Sequence, residues 1–358
     1  MNILQTIEHI LATTPDPSSA KTMQDMLIKH TINLEDQHAF IYLSVGFPTK
    51  LLKQTWLPVL QTSLEKALPT YQINLIIDQF IKAHRTQLPG MSLRNVKNTI
   101  AIASGKGGVG KSTIAVNLAV ALAALGARVG ILDADIYGPS IPTMLGKHEP
   151  VSFENERYVP IKAHGIQAMS IGYLTNESNS TLIWRGPMLA KSLLQMLDIT
   201  AWDELDYLFI DLPPGTGDIQ LSLVQKIPLS GAIVVTTPQN IATLDAHKAL
   251  NLFEKTNIPV LGIIENMAVY HCESCGHQAH LFGQGGAQTL SQNHGCERLG
   301  QLPLNAQIRE QCDQGMPSAS HSATELKNIF TTLALKTAMA INQRPLNYAD
   351  KFPPIVVE

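Results

Sequence analysis

The sequence predicts an α/β protein, a mostly parallel, doubly wound sheet preceded by a small α+β unit. Three observations carry this. From residue 98 onward, short apolar runs alternate with helical stretches, and continuous apolar strands separated by helices pack as a parallel sheet covered on both faces. Several of those runs end in a polar or Gly/Pro-containing loop, the edge at which such sheets bind ligands. Between a buried strand at 98–104 and a breaker-free helix at 113–125 sits the run Gly105-Lys106-Gly107-Gly108-Val109-Gly110-Lys111-Ser112-Thr113.

In chain order, Ile3, Ile7, Ile10 and Leu11 are spaced for one helical face. Ile28, His30 and Ile32 alternate with Lys29, Thr31 and Asn33, and 39–45 reads as a partner strand across the Glu35-Asp36 turn. A helix over 48–68 places Leu52, Trp56, Val59, Leu60 and Leu64 on one stripe, and 72–77 makes a last strand. Residues 1–81 are thus a small α+β domain. Residues 82–97, with Arg85, Pro89-Gly90 and no apolar periodicity, read as a linker. The larger domain spans 98–345. Its further strands are expected at 128–133, 207–211, 231–236, 260–265 and 298–302, with Gly126 capping the first helix. A Pro-containing tail, 346–358, closes the chain.

The glycine run satisfies the phosphate-loop pattern. Its glycines let backbone N–H groups curl around a phosphate chain, Lys111 can reach the β/γ-phosphates, and the Ser112 hydroxyl can ligate Mg²⁺. The following helix aims its positive N-terminus at the same anion. Two further strand ends agree with it. Asp211, followed by Leu212-Pro213-Pro214-Gly215-Thr216-Gly217-Asp218, has the place of a Mg²⁺-holding carboxylate, and its glycines let the loop rearrange with a γ-phosphate. Asp135, in Asp133-Ala134-Asp135, is the candidate for orienting the attacking water. Asp also commonly serves as a helix cap or turn residue.

Composition is that of an ordinary globular chain: 358 residues, 45% hydrophobic, 15% charged, net charge −3. That balance favours neither nucleic acid nor an anionic membrane as partner. No apolar run approaches a membrane span, and the N-terminus lacks the blocks of a secretory signal. Four cysteines make no disulfide framework, so a cytoplasmic location is expected. Cys272 and Cys275 are spaced to bite one metal ion or cluster. Zinc completed by His277 or His280, and half of a four-thiolate site completed by a symmetry mate, both fit that spacing. A dithiol redox pair would open a helix, which Gly276-His277 does not resemble.

Residues 105–113 as a whole resemble the deviant Walker A motif of the MinD/ParA/nitrogenase-iron-protein class. By that resemblance Lys106 reaches across a dimer interface to the partner's nucleotide, which links ATP binding to dimerisation. Residues 95–345 resemble the Mrp/ApbC family of iron–sulfur cluster carrier ATPases. The shared features are 105–113, Asp133 to Ser140, Trp184-Arg185-Gly186-Pro187-Met188, Asp211 to Asp218, Glu265-Asn266-Met267 with Cys272 and Cys275, Leu299 to Leu304, and Ile308-Arg309-Glu310. The resemblance implies a P-loop NTPase that binds ATP and Mg²⁺ and hydrolyses ATP slowly. It further implies a homodimer holding a [4Fe–4S] cluster between two Cys272/Cys275 pairs, taking it from a donor and passing it to apo-proteins. It puts Asn266 near the adenine and Trp184-Arg185 at the dimer contact. The N-terminal region resembles, more weakly, the cluster-assembly domain often found ahead of this ATPase, through Asp16-Pro17 and its element order. With no cysteine before Cys272, this copy offers no thiolate to a cluster, leaving docking or scaffolding. Cys296 and Cys312 are expected as packed thiols. The competing readings are a MinD/ParA-like switch, which would need a basic surface or an amphipathic C-terminal helix, and a zinc-stabilised ATPase with structural cysteines.

Overall fold

The first helix, α1 (Ile3–Thr13), starts where it does because Asn2 caps it. The Asn2 side chain accepts from the Gln5 N–H while the Gln5 side chain accepts from the Asn2 N–H. The computed structural model describes residues 2–17, 21–26, 28–174, 186–272, 274–322 and 324–347. Trp184, Arg185 and the tail from Tyr348 onward lie outside the described residues.

Strands β1 (Lys29–Glu35) and β2 (His38–Val45) pair antiparallel across a turn at Asp36, and β3 (Gln72–Gln79) pairs parallel to β2. The expected single helix over 48–68 is two: α2 (Lys50–Thr55) and α3 (Leu57–Ala67). Pro58, in the first turn of α3, has no N–H to continue the ladder and its ring crowds the preceding turn, so the helix restarts. At the break Trp56 is fully buried, its indole N–H donating to the Thr14 carbonyl at 3.0 Å. Leu52, Leu60 and Leu64 are buried as the stripe predicts, but Val59 is 40% exposed, because the break re-phases the second half of the stripe.

Residues 82–95, expected as a linker, form a packed strap. Arg85 donates its N–H to the Pro345 carbonyl, and Asn347 donates to Ala83. The Gln87 amide donates to the carbonyls of Val224 and Ile227 and accepts from the Leu229 N–H. Pro89-Gly90 correctly excluded helix and strand here, but lack of periodicity does not mean lack of contact. Residues Leu346 and Asn347, expected in the tail, belong to the same arrangement.

The large sheet is built from β4 (Val96–Ala103), α4 (Lys111–Ala124), β5 (Val129–Asp133) and α5 (Ile141–Leu145). There follow a small hairpin, β6 (Phe153–Glu154) with β7 (Arg157–Tyr158), then β8 (Ile161–Ala163), β9 (Ile166–Ser170) and α6 (Gly186–Ile199). Next come β10 (Leu205–Asp211), α7 (Asp218–Lys226), β11 (Gly231–Thr236), α8 (Asn240–Lys255) and β12 (Val260–Glu265). A second hairpin, β13 (Tyr270–His271) with β14 (Gln278–Ala279), precedes α9 (Gly286–His294), β15 (Arg298–Gln301), α10 (Ala306–Asp313) and α11 (Glu325–Asn342). Strand order is β15-β12-β11-β4-β10-β5-β9-β8, parallel throughout except for β8 against β9. Every expected strand of this sheet is present, and β8 and β9 are additions. The order reverses around β4, whose successors lie on both sides, so the carboxyl ends of β4, β5 and β10 open a crevice at the switch point. Helix α4 crosses beneath it, buried from Ile114 to Leu122, which accounts for a sequence apolar on all sides.

A phosphate cradle beside a cysteine hairpin

The loop from Ser104 to Gly110 leaves the central strand β4 and enters α4. Gly105 passes beneath the main chain of α8, where a Cβ would stand 2.1 Å from the Asp245 carbonyl. Gly110 has φ +84, and a Cβ there would meet the Asn266 amide at 2.3 Å. Both positions therefore demand glycine. Helix α4 begins at Lys111 with no side-chain cap. Its first-turn N–H groups face a cavity of about 210 Å³, walled by Gly107, Gly108, Gly110, Ser112 and Thr113, with Asp135 and Pro214 opposite. Uncapped N–H groups, a helix N-terminus and a buried lysine make an anion site of phosphate size.

In-register pairing sets Asp211 of β10 directly beside Asp133 of β5. Lys111, only 6% exposed, places Nζ 2.5 Å from Asp211 Oδ1 and 3.2 Å from Ser112 Oγ. Asp211 is fully buried, and its Oδ2 has no hydrogen-bond partner among the described residues. An orphaned carboxylate oxygen on Asp211 and the Ser112 hydroxyl, both residues meeting at Lys111 Nζ, are a donor set suited to a hard divalent cation. Asp133 is also fully buried. It accepts from the N–H groups of Asp135 and Ile141 and from Ser170 Oγ. Burial, and then the charge of Asp211, push its carboxyl up to about 7. Asp133 was quoted in the sequence motif but assigned no role; its place at the end of a strand, opposite Asp211, was the available signal. Asp135 is half-buried on the cavity wall, its carboxyl raised chiefly by burial.

Lys106 does not line the cavity. Its Nζ lies 3.2 Å from Gln239 Oε1 at the head of α8. Val109 is buried within the loop, and Asn266 is brought against it from the end of β12. Its Nδ2 donates to the Val109 carbonyl at 2.9 Å and its Oδ1 accepts from the Met267 N–H. The amide expected beside an adenine is thus engaged with the backbone of the loop.

From Asn266 the chain runs directly into the hairpin of β13 and β14. Ala268 donates to the Leu302 carbonyl and Leu304 to Val269, which fixes this segment to the sheet. Cys272 and Cys275 occupy the hairpin tip, half-buried and exposed respectively. The Cys272 N–H donates to the His277 carbonyl and the Gly276 N–H to the Cys272 carbonyl, closing the turn between the thiols. No group of three or more His, Cys, Asp or Glu among the described residues is placed to hold a metal. His280 instead has Nδ1 2.9 Å from the Ala268 carbonyl. The pair itself offers a metal two thiolates. Cys296 and Cys312 are apart from it, both thiols raised by burial, with Cys312 against the Asn117 amide.

A parallel sheet with a glycine loop and lysine at its switch point, and aspartates at the ends of the neighbouring strands, defines a P-loop nucleoside-triphosphate-binding protein. The chain belongs to the ParA family, over residues 95–338, in the group described as NUBPL iron-transfer P-loop NTPases. It is 56% identical over 246 residues to an iron-sulfur cluster carrier protein of Pseudomonas fragi, covering 68% of this chain and 85% of that one. The iron-sulfur cluster carrier protein of Escherichia coli K12 is 54% identical over 253 residues, covering 70% and 68%. A mouse protein, iron-sulfur cluster transfer protein NUBPL, is 47% identical over 246 residues, covering 66% and 77%. Among solved structures, a nucleotide-binding protein from Archaeoglobus fulgidus in complex with ADP superposes with TM-score 0.56 at 38% identity, covering 65% of this chain and 91% of that one. The cell-division ATPase MinD of Pyrococcus furiosus shares the fold, with TM-score 0.51 at 21% identity over 67% of this chain and 97% of its own. Among the described residues no helix is long and apolar enough to cross a membrane.

Proposed function

We propose that this chain is an ATP-hydrolysing carrier that holds a [4Fe–4S] cluster as cargo between two copies of itself and delivers it to apo-proteins. The observation that carries this reading is the placement of Cys272 and Cys275 together at the tip of a hairpin joined to the phosphate loop through Asn266. A two-fold axis through the hairpins supplies four thiolates, the number such a cluster takes.

In this reading the loop N–H groups from Gly105 to Thr113 cradle the phosphates of ATP. Lys111, held without nucleotide by Asp211, moves its charge to the β/γ-phosphates. Asp211 is then free to hold Mg²⁺ with Ser112, directly or through water, and the cation supplies charge neutralisation at the γ-phosphate. Asp135 orients water for attack on the γ-phosphorus as the bond to the leaving ADP oxygen breaks. Asp133, anchored to two backbone N–H groups and Ser170, holds the start of that loop in place. Lys106, on the rim beside Gln239, reaches the nucleotide of the second copy, so ATP favours the dimer. Asn266 positions the loop rather than touching the reacting groups. Residues 1–81 form a docking or scaffolding domain ahead of the ATPase domain, 98–345.

Anaerobic reconstitution with iron and sulfide tests the reading. Broad absorption near about 400 nm is expected for thiolate-held clusters, lost in Cys272→Ser and Cys275→Ser. Zinc binding alone, or a cluster that survives both substitutions, refutes it. For the dimer, Lys106→Ala should abolish ATP-dependent association measured by sedimentation, and unchanged association removes the trans lysine.

A further inference from the structure

A second and larger cavity, of about 640 Å³, adjoins the phosphate cradle on the side of α7. Its size falls in the range of ligand clefts, about 300–1,000 Å³. Asp135 and Pro214 line both cavities. On the far wall stands Gln220, in the first turns of α7 and 2% exposed. Neither Nε2 nor Oε1 of Gln220 has a hydrogen-bond partner among the described residues. A buried amide with both its donor and its acceptor unused is rare in folded proteins, and here it lines a cavity.

The rest of the wall says what would satisfy it. Asp135 and Asp218 place two carboxylates on the cavity, and no lysine or arginine is among the described residues that line it. Tyr137, which is 63% exposed, lines the same cavity together with Pro214 and Ile219 and adds apolar surface to it. Water fills such a space in the absence of anything better, but water gains nothing from an aromatic wall. A planar cation gains from both the carboxylates and the ring face, and arginine suits this better than lysine because its guanidinium stacks and forks. The Gln220 amide, one donor beside one acceptor, matches a peptide group.

We propose that this cavity binds an arginine presented on a peptide segment of another protein, its guanidinium between Asp135 and Asp218 against Tyr137, its peptide group paired with Gln220. Charge complementarity selects this occupant. Because Asp135 faces both cavities, the peptide and the nucleotide alter each other's affinity reciprocally. The inference is independent of what the cysteines carry.

The full-length protein is titrated with Nα-acetyl-L-arginine N-methylamide and, in parallel, with its neutral isostere Nα-acetyl-L-citrulline N-methylamide. Calorimetry reports affinity and the Ile219 methyl resonances report location. The arginine probe is expected to bind saturably, about tenfold or more tighter than the citrulline probe, and to shift the Ile219 methyls. Gln220→Met should weaken the arginine probe about tenfold, and it should raise the melting temperature by removing an unpartnered buried amide. Equal affinity of the two probes, shifts confined to other residues, or unchanged binding by Gln220→Met overturns the proposal. A lowered melting temperature in Gln220→Met does so too, since it makes the amide a structural element. Loss of ATP-dependent dimerisation in Gln220→Met assigns the cavity to a second copy of this chain and equally overturns it.

Discussion

Replacing Gly110 by alanine tests how the phosphate loop is held. The residue has φ +84, where an L-side chain costs about 1–2 kcal/mol. The new Cβ would also stand 2.3 Å from Asn266 Nδ2, and that amide is not free to swing aside. Displacing it forfeits its bonds to the Val109 carbonyl and the Met267 N–H, each worth about 0.5–1.5 kcal/mol. The expected cost of Gly110→Ala is therefore about 2–5 kcal/mol. Asn266→Ala by itself removes the same bonds and leaves the Val109 carbonyl unpaired, for about 1–3 kcal/mol. In that background the Cβ has room, so Gly110→Ala should cost only the backbone term. Urea unfolding of the four proteins followed by circular dichroism, without nucleotide, gives the cycle. A coupling of about 1–3 kcal/mol is expected. Additivity within about 0.5 kcal/mol would refute the claim that Asn266 is what the glycine makes room for.

Two further predictions concern pH. Asp133 in the folded chain titrates at about 7, above its unfolded value of about 3.9, so its contribution to stability is full below the lower value and is lost as pH rises to the upper one. Nucleotide-free stability, measured as the urea midpoint from pH 5 to 8, should fall across this window more steeply in wild type than in Asp133→Asn; parallel profiles would exclude Asp133 as the source. His84 shifts the other way: burial lowers it, its Nδ1 meets Asn98 Oδ1 at 2.9 Å, and its Nε2 is buried without a partner among the described residues. Its contribution is therefore present above the unfolded value of about 6.5 and lost as pH falls through the folded one. Hydrogen exchange at the Arg85 and Asn347 amides, corrected for intrinsic rates, should lose protection as pH falls through the lowered folded value in wild type but not in His84→Gln.

The strands that carry the site were legible because each is a short apolar run with a polar residue at or just after its end (Ser104, Asp133, Asp211, Thr236 and Glu265), a pattern set by burial on both faces. Strands β8 and β9 were not. The first is three residues long and the second carries Gln167 and Ser170, so neither makes a clean run. The break at Trp56 was written in Pro58, yet the apolar stripe continued across it and concealed the change of phase. For the site, glycine spacing fixed the cradle and the register of β10 with β5 fixed its carboxylates. What spacing could not supply were facts of three-dimensional approach: that Lys111 rests on Asp211, that Asp133 is held by Ser170 from β9, and that Asn266 faces the loop backbone. The strap at 82–95 follows the same rule, since its bonds run through main-chain groups and scattered polar side chains, His84, Gln87 and Asn98 among them, which leave no periodic trace.

Asn266 precedes Cys272 by six positions in the chain, so at most about 3.6 Å per residue of main chain joins the loop to the first thiol. Between them, Ala268 and Val269 are pinned to Leu302 and Leu304. The thiol hairpin and the phosphate loop are therefore tied to one short length of backbone that the sheet itself anchors.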